Sequence, residues 1–318
     1  MLEDLKGKKV LVTGGAGFIG SHIVDRLVEL DAKVIVLDSL ITGKLENLEQ
    51  NLKKIEFVKG DITDEACLAK VLKGVELISH QAALRSVPKS VEMPGEYNRV
   101  NVGGTLSLFL KAKAAGVKRI VCASSSSVYG ERDDFPEKEN DIVKPISPYA
   151  ATKLIVEQYS YVFSKLYNMK IVNLRYFNVY GPRQSIDDEY AVVIPKFINC
   201  LLEGMSPPIY GDGDQERDFT FVGDIVDMNI RCLENDNVDS EVFNVGLGIP
   251  NSVNNLFKNL KEIIGSNLEP SYCPIRLGDV RKTHAEMQKA KELLGFSPKV
   301  DFVQGLKKTV DWFKGAKR

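Results

Sequence analysis

The chain has 318 residues, 27% of them charged, with 42 Lys and Arg against 43 Asp and Glu. A net charge of −1 carries neither the basic surplus of a nucleic-acid binder nor the acidic excess of a disordered tail. The length suffices for a large core, in one big domain or two moderate ones. Cys67, Cys122, Cys200, Cys232 and Cys273 are scattered without CxxC spacing, which argues against a disulfide framework or a metal site and fits a reducing cytoplasm. Residues 1–6 are too polar for a signal peptide, and no apolar run is long enough to span a membrane. A cytoplasmic protein without membrane or nucleic-acid partners is expected.

The first element in the chain is a short apolar run over 10–12 that reads as a buried strand. A turn follows, Thr13-Gly14-Gly15-Ala16-Gly17-Phe18-Ile19-Gly20, and then a helix with apolar residues at Ile19, Ile23, Leu27 and Leu30. Residues 34–37 form a second buried strand, closed by Asp38. Gly14 permits the tight turn, Gly17 lets backbone approach a pyrophosphate, and Gly20 lets the helix pack against the strand. Phe18, Ile19 and Gly20 then offer helix N-terminal amides to phosphate. Asp38, about 20 residues further on, suits a ribose 2′-hydroxyl and would repel a 2′-phosphate. The unit predicts a bound NAD rather than NADP.

Alternation continues. Residues 55–58 predict a third strand ending near Asp61 and Ile62, 68–72 a helix, and 75–79 a fourth strand running into His80-Gln81-Ala82-Ala83. A longer helix passes through Asn101 and Leu106 to Ala115, and a fifth strand over 119–123 exits into Ser124-Ser125-Ser126-Ser127. Residues 147–166 are helical in pattern and 171–175 a sixth strand. This order implies an α/β fold with a doubly wound parallel sheet, whose ligands lie beyond the carboxyl ends of the strands. After Arg175 come loops rich in Gly, Pro and Asp, with helices over 193–202, 256–264 and 287–294. The reading is a Rossmann domain over residues 1–177, with chain returning at about 217–247, and a smaller α/β substrate-binding domain over 178–216 and 248–318. The tail over 314–318 is expected to fray.

Two features carry chemistry. Tyr149 and Lys153 lie at i and i+4 on one helix face, where an ammonium beside a phenol favours the phenolate and makes a usable base. The serine run at the preceding strand exit can hydrogen-bond the same substrate oxygen.

With these motifs the chain resembles the extended short-chain dehydrogenase/reductase group, and within it the nucleotide-sugar 4-epimerases. The likeness rests on the glycine turn, the serine run with Val128-Tyr129-Gly130, Tyr149 with Lys153, and Leu174-Arg175-Tyr176-Phe177-Asn178-Val179-Tyr180-Gly181. It implies Tyr149 as base, Lys153 on the nicotinamide ribose, and Ser125 on the sugar 4-hydroxyl with Ser126 and Ser127 close by. It places Asp61 and Ile62 at the adenine, Gln81, Ala82 and Ala83 beside the pyrophosphate, and Tyr176 at the cofactor. Asn178 would bind the substrate diphosphate or sugar, Arg217 and Arg276 would clamp the diphosphate, and Asp279 would hold the nucleotide ribose. Arg85, Ser86 and Val193 would line the sugar site, in stretches that look like those of epimerases accepting 2-acetamido sugars.

Departures sort the branches. The 4,6-dehydratases look like Thr-Asp-Glu at 125–127, and uronate decarboxylases carry a Glu at the position of Ser127. Three serines cannot supply that extra acid or base, and inversion at C4 needs none. Thr283 aligns with the gate beside sugar C2, where a small residue leaves room for an acetamido group. The resemblance thus implies a UDP-sugar 4-epimerase acting on UDP-GlcNAc/UDP-GalNAc and UDP-glucose/UDP-galactose, working as a homodimer. UDP-glucuronate 4-epimerase stays the alternative, because Arg85 could welcome a carboxylate. An idle NAD-sensing scaffold is the non-enzyme rival.

Overall fold

In β1 (Lys9–Thr13), Val10 and Val12 enter one apolar cluster and Leu11 another. β2 (Lys33–Asp38) repeats the division, with Val34 and Val36 against Ile35 and Leu37. Both faces are apolar because both are covered, as period-2 side chains in a helix-clad parallel sheet require. The computed structural model describes residues 4–185, 193–275 and 280–316. The sheet continues with β3 (Glu56–Lys59), β4 (Leu77–His80), β5 (Arg119–Ser125), β6 (Lys170–Tyr176) and a last strand, Val242–Val245. From one edge to the other the order is Val242–Val245, β6, β5, β4, β1, β2, β3, all parallel. The order reverses between β1 and β4, and a cleft opens beyond the strand ends at such a switch point.

The helices are α1 (Phe18–Glu29), α2 (Glu65–Val71), α3 (Val87–Glu92), α4 (Pro94–Tyr97), α5 (Thr105–Ala115), α6 (Pro148–Tyr167), α7 (Val193–Leu202), α8 (Val222–Glu234), α9 (Val253–Ile264), α10 (Gln288–Leu294) and α11 (Phe302–Ala316). Ile23, Val24 and Leu27 of α1 and Ile225 and Met228 of α8 cover one sheet face. Leu68, Leu108, Phe109 and Phe163 of α2, α5 and α6 cover the other. A third cluster is built from α7, α9 and α11, with Phe197, Leu256, Leu260, Leu306 and Val310 buried together. Among the described residues no helix is long and apolar enough to cross a membrane.

Several expectations are corrected. The helix through Asn101 is interrupted: residues Asn98–Gly104 wind as a π-helix, a widened turn that local spacing does not announce. Of the stretch over 219–245, only Val242–Val245 joins the sheet, while Phe219 packs in the third cluster. Ala290 and Leu294 of α10, with Phe296, pack into the sheet-side core. Of the tail expected to fray, Lys314 and Gly315 are helical, α11 running through them to Ala316, and residues 317–318 lie outside the described residues. Its apolar residues Phe302, Leu306, Val310 and Phe313 repeat at helical spacing and are buried, with Phe302 stacked on Phe219 at a centroid distance of 5.5 Å.

Leu306→Ala is therefore expected to cost about 2–5 kcal/mol, read as a lower midpoint of chemical denaturation. A loss well below 1 kcal/mol would contradict the placement of α11 in a close-packed core.

Candidate functional site

Three strand exits meet at the switch point. Gly14, after β1, has φ +68, and a Cβ there would lie 2.7 Å from the Ala82 nitrogen. A Cβ at Gly20 would lie 2.2 Å from the Gly14 carbonyl oxygen. Only glycine permits these approaches. α1 begins at Phe18 with Gly17 as its N-cap and no side chain capping it. Asp38 ends β2 almost fully buried; its Oδ2 accepts from the Ala16 amide (2.9 Å) and its Oδ1 from the Leu40 amide (2.8 Å). The carboxylate thus ties the glycine turn to β2, and each oxygen retains a second lone pair for a hydroxyl. Behind the turn, His80 bridges Thr13 Oγ1 (2.6 Å) and Thr105 Oγ1 (2.8 Å). Burial holds this imidazole to about 3, so it is neutral and structural.

The cleft encloses about 440 Å³. Gly14, Gly17, Phe18, Ile19, Gly20, Asp38, Asp61, Ile62, Gln81, Ala82, Ala83, Arg85, Tyr149, Lys153 and Tyr176 all border it. Gln81, Tyr176 and Asn229 fix one another: Tyr176 Oη donates to Gln81 Oε1 (3.1 Å) and accepts from Asn229 Nδ2 (2.8 Å). Burial raises Tyr176, so it stays a phenol. A glycine cradle, an uncapped helix start and an acidic strand end suit a dinucleotide with a free 2′-hydroxyl.

At the inner end, Ser125 stands beside Tyr149 and is one of the groups that favour its phenolate. Ser125 Oγ accepts from the Ser127 amide (3.2 Å) and from Ser127 Oγ (2.8 Å). Ser126 follows in the same 3₁₀ turn, Ser126–Tyr129. Lys153 Nζ donates to the Ala123 carbonyl (2.7 Å) and lies 5.9 Å from the Tyr149 ring centroid. Burial lowers Lys153 to about 8. Contrary to the sequence reading, Tyr149 is held above its ordinary range: burial outweighs everything else, and the groups that pull it down are Ser125 and Arg85. The ammonium is turned toward the strand carbonyl rather than the phenol, and Arg85 takes the electrostatic part assigned to it.

Other predicted residues lie beyond this cleft. Thr283 Oγ1 accepts from Asn178 Nδ2 (2.8 Å) and from the Asp218 amide (3.1 Å), so Thr283 orients Asn178. Arg217 is paired across from Asn251, its Nη1 donating to the Glu216 carbonyl (2.9 Å). Val193 opens α7. Ser86 spends its hydroxyl as the N-cap of α3. Arg276 and Asp279 lie outside the described residues. Arg183 borders the cleft with Nη1 2.7 Å from Asp25 Oδ2.

Sequence reasoning missed three supports. Asn101, in the π-helix, accepts from the Leu84 amide (2.8 Å) and donates to the Leu84 carbonyl (3.0 Å) and Thr152 Oγ1 (3.1 Å), fixing the chain beside Arg85 to α6. Buried Asp218 accepts from the amides of Leu247 (2.7 Å), Gly248 (2.9 Å) and Ala285 (3.0 Å). Glu137, raised to about 7 by burial, accepts from the His284 amide (2.7 Å). Together the two carboxylates clamp the segment that carries Thr283.

The sequence pattern of the NAD dependent epimerase/dehydratase family matches residues 10–246. A putative UDP-glucose 4-epimerase of Methanocaldococcus jannaschii is 42% identical over 311 residues, 97% of this chain and 99% of that one. A UDP-glucuronate 4-epimerase of Thermodesulfobacterium geofontis is 36% identical, covering 96% of this chain and 95% of that one. A solved UDP-N-acetylglucosamine 4-epimerase from Methanobrevibacter ruminantium M1, in complex with UDP-N-acetylmuramic acid, superposes with a TM-score of 0.94 at 43% identity, covering 98% of this chain and 99% of that chain. With three-quarters of its length inside one family's pattern and such relatives end to end, this chain belongs to the NAD dependent epimerase/dehydratase family.

Proposed function

We propose that this protein is a UDP-sugar 4-epimerase of UDP-GlcNAc/UDP-GalNAc and UDP-glucose/UDP-galactose. The observation that carries the reading is the convergence of Tyr149 and Ser125, with serines and no carboxylate at 126 and 127. NAD would lie along the glycine turn, held by Gly14, Gly17, Gly20 and Asp38, and would supply reversible hydride acceptance at the sugar C4. Ser125 holds the sugar 4-hydroxyl, and Tyr149 Oη takes its proton as C4 is oxidised. The 4-keto sugar turns over in the site, and Tyr149 returns the proton when the other face is reduced. Arg85 favours the phenolate, and Lys153 grips the nicotinamide ribose. Arg217 and Arg276 clamp the diphosphate, Asn178 binds the diphosphate or the sugar, Asp279 holds the nucleotide ribose, and Val193 and Ser86 border the sugar.

The three serines leave no acid for dehydration or base for a second proton transfer. The pairing of Arg183 with Asp25 supports a neutral sugar, since that guanidinium is already matched. Arg85 at the cleft favours UDP-glucuronate as the second reading. Residues 178–216 and most of 248–318 form the nucleotide-sugar domain, supported by the third apolar cluster. Cytoplasmic work fits the five unpaired cysteines. A homodimer through α5 and α6 is supported by their exposed apolar residues Leu110, Ile155, Tyr161, Val162 and Leu166.

A substrate panel tests the activity. UDP-GlcNAc and UDP-glucose are expected to yield their C4 epimers, and UDP-glucuronate is not. Conversion of the uronate alone would overturn the sugar assignment, and no conversion with NAD bound would favour the sensor. Thr283→Tyr is expected to lower turnover of the acetamido sugar at least tenfold more than that of the plain hexose, a discrimination within reach of pocket sterics. Thr283→Ala separates the lost hydrogen bond from the filled space; equal losses in the tyrosine variant would sink the gate. Tyr149→Phe should reduce kcat about 10²–10⁴-fold with NAD still bound, and near-full activity would exclude it as the base. For the dimer, Tyr161→Asp with Leu166→Asp should sediment as a monomer; a wild-type monomer at micromolar concentration would contradict the interface.

A further inference from the structure

Behind Tyr149 and Lys153, α6 turns another charged residue inward. Glu157 follows Lys153 by four residues and Tyr149 by eight, so the three share one helix face. Glu157 and Arg175 are only 4% exposed each. On the sheet, Arg175 of β6 stands in register beside Ser124 of β5. Glu157 Oε1 accepts from Ser124 Oγ and from Arg175 Nε (3.0 Å), while Oε2 accepts from Arg175 Nη2 (2.7 Å). Arg175 Nη1 donates onward to the Glu139 carbonyl (3.3 Å), and the guanidinium carbon lies 4.7 Å from the Tyr129 ring centroid. One residue before Ser124 is the Ala123 carbonyl that receives Lys153.

We propose that the Glu157–Arg175 pair is a positioning element of this site: it fixes Ser124, and with it the β5 exit that holds Lys153, and its two charges act on the Lys153 ammonium with opposite sign. The inference rests on the assignment of Lys153 made above. The groups around the ammonium are Tyr149 and Glu157 from α6, Cys122 from β5 and His80 from β4, with Arg175 of β6 behind Glu157. Burial keeps Cys122 a thiol, pushed up to about 12, and His80 an uncharged ring. Among these groups Glu157 is the carboxylate that favours the charged lysine, and Arg175 tempers it. A bidentate fork gives the arrangement its fixed geometry.

The experiment uses NAD-loaded protein carrying ¹³C at the lysine ε-carbon, in which the resonance missing from Lys153→Arg identifies Lys153. Glu157→Gln keeps the shape, removes the negative charge and leaves Arg175 unmatched. Its Lys153 titration midpoint is expected to fall by roughly one pH unit, as for loss of a neighbouring opposite charge. Arg175→Gln should move the midpoint upward, so each single variant tests the sign on its own. The double variant, which leaves no lone buried charge to hinder folding, should bring the midpoint more than halfway back from the Glu157→Gln value. An unmoved midpoint in the single variants, or a double variant that stays with Glu157→Gln, overturns the proposal. The alkaline limb of kcat/KM is followed alongside. A limb that tracks the midpoint supports the positioning role; a midpoint that moves under an unmoved limb overturns the assignment of Lys153 to turnover and leaves the charge action of the pair standing.

Discussion

The cleft depends on a backbone contact that no side chain could share, between Gly14 leaving β1 and Ala82 leaving β4. The two strands are neighbours at the point where the sheet order reverses, so the chains that follow diverge and leave a space above the strand ends. Any Cβ at Gly14 would force the exits apart, and one at Gly20 would push α1 off the turn. Asp38 then ties the turn to β2, and the neutral His80 ties β1 through Thr13 to Thr105 of α5. The dinucleotide cradle is therefore mostly backbone, held in place by a few buried polar side chains around it. Such a cradle is rigid without being filled.

The reacting end is built on a different principle. α6 buries a lysine and a glutamate against β5 and β6, where β6 supplies an arginine. Taking such groups out of water costs several kcal/mol per ion unless each is matched by charge and hydrogen bonds. Here Glu157 and Arg175 match one another, and Lys153 is matched by a carbonyl at the price of a lowered affinity for its proton. The phenol beside them is pushed the other way by the same dryness. One dry environment thus pushes the two ionisations apart, lowering the lysine and raising the phenol, the kind of separation that sets acid and base roles in a site. The serine turn adds order, since the amide and the hydroxyl of Ser127 both donate to Ser125 Oγ and fix it at the strand exit.

What could be read in the sequence was what spacing determines. Glycine positions, the acid after the second strand, the Tyr149–Lys153 interval and the period-2 strands are local, and the elements they imply stand where expected. What could not be read joins residues far apart in the chain. Asn101 reaches Leu84 and Thr152, Asp218 reaches Ala285, and Glu137 reaches His284, contacts across 17 to 147 residues that no local pattern encodes. Within the π-turn over Asn98–Gly104, Asn101 faces both Leu84 and Thr152 of α6. α11 escaped notice although its apolar residues repeat at helical spacing, because its core partners, Phe219 and Tyr180, come from loops that read as irregular. The direction of the Tyr149 shift was misjudged for a related reason: sequence gives the distance along a helix, and only the fold gives the desolvation.

The proposed epimerisation turns on a hydride that would leave C4 and return to C4 without meeting solvent, while the accompanying proton would pass through Tyr149. Deuterium placed at C4 of UDP-glucose tests it most directly. The UDP-galactose formed is expected to carry the label at C4, and a reaction of unlabelled sugar in heavy water is expected to place none there. Loss of the label to solvent, or its appearance at C4 from heavy water, would contradict the mechanism and point to proton abstraction at carbon instead.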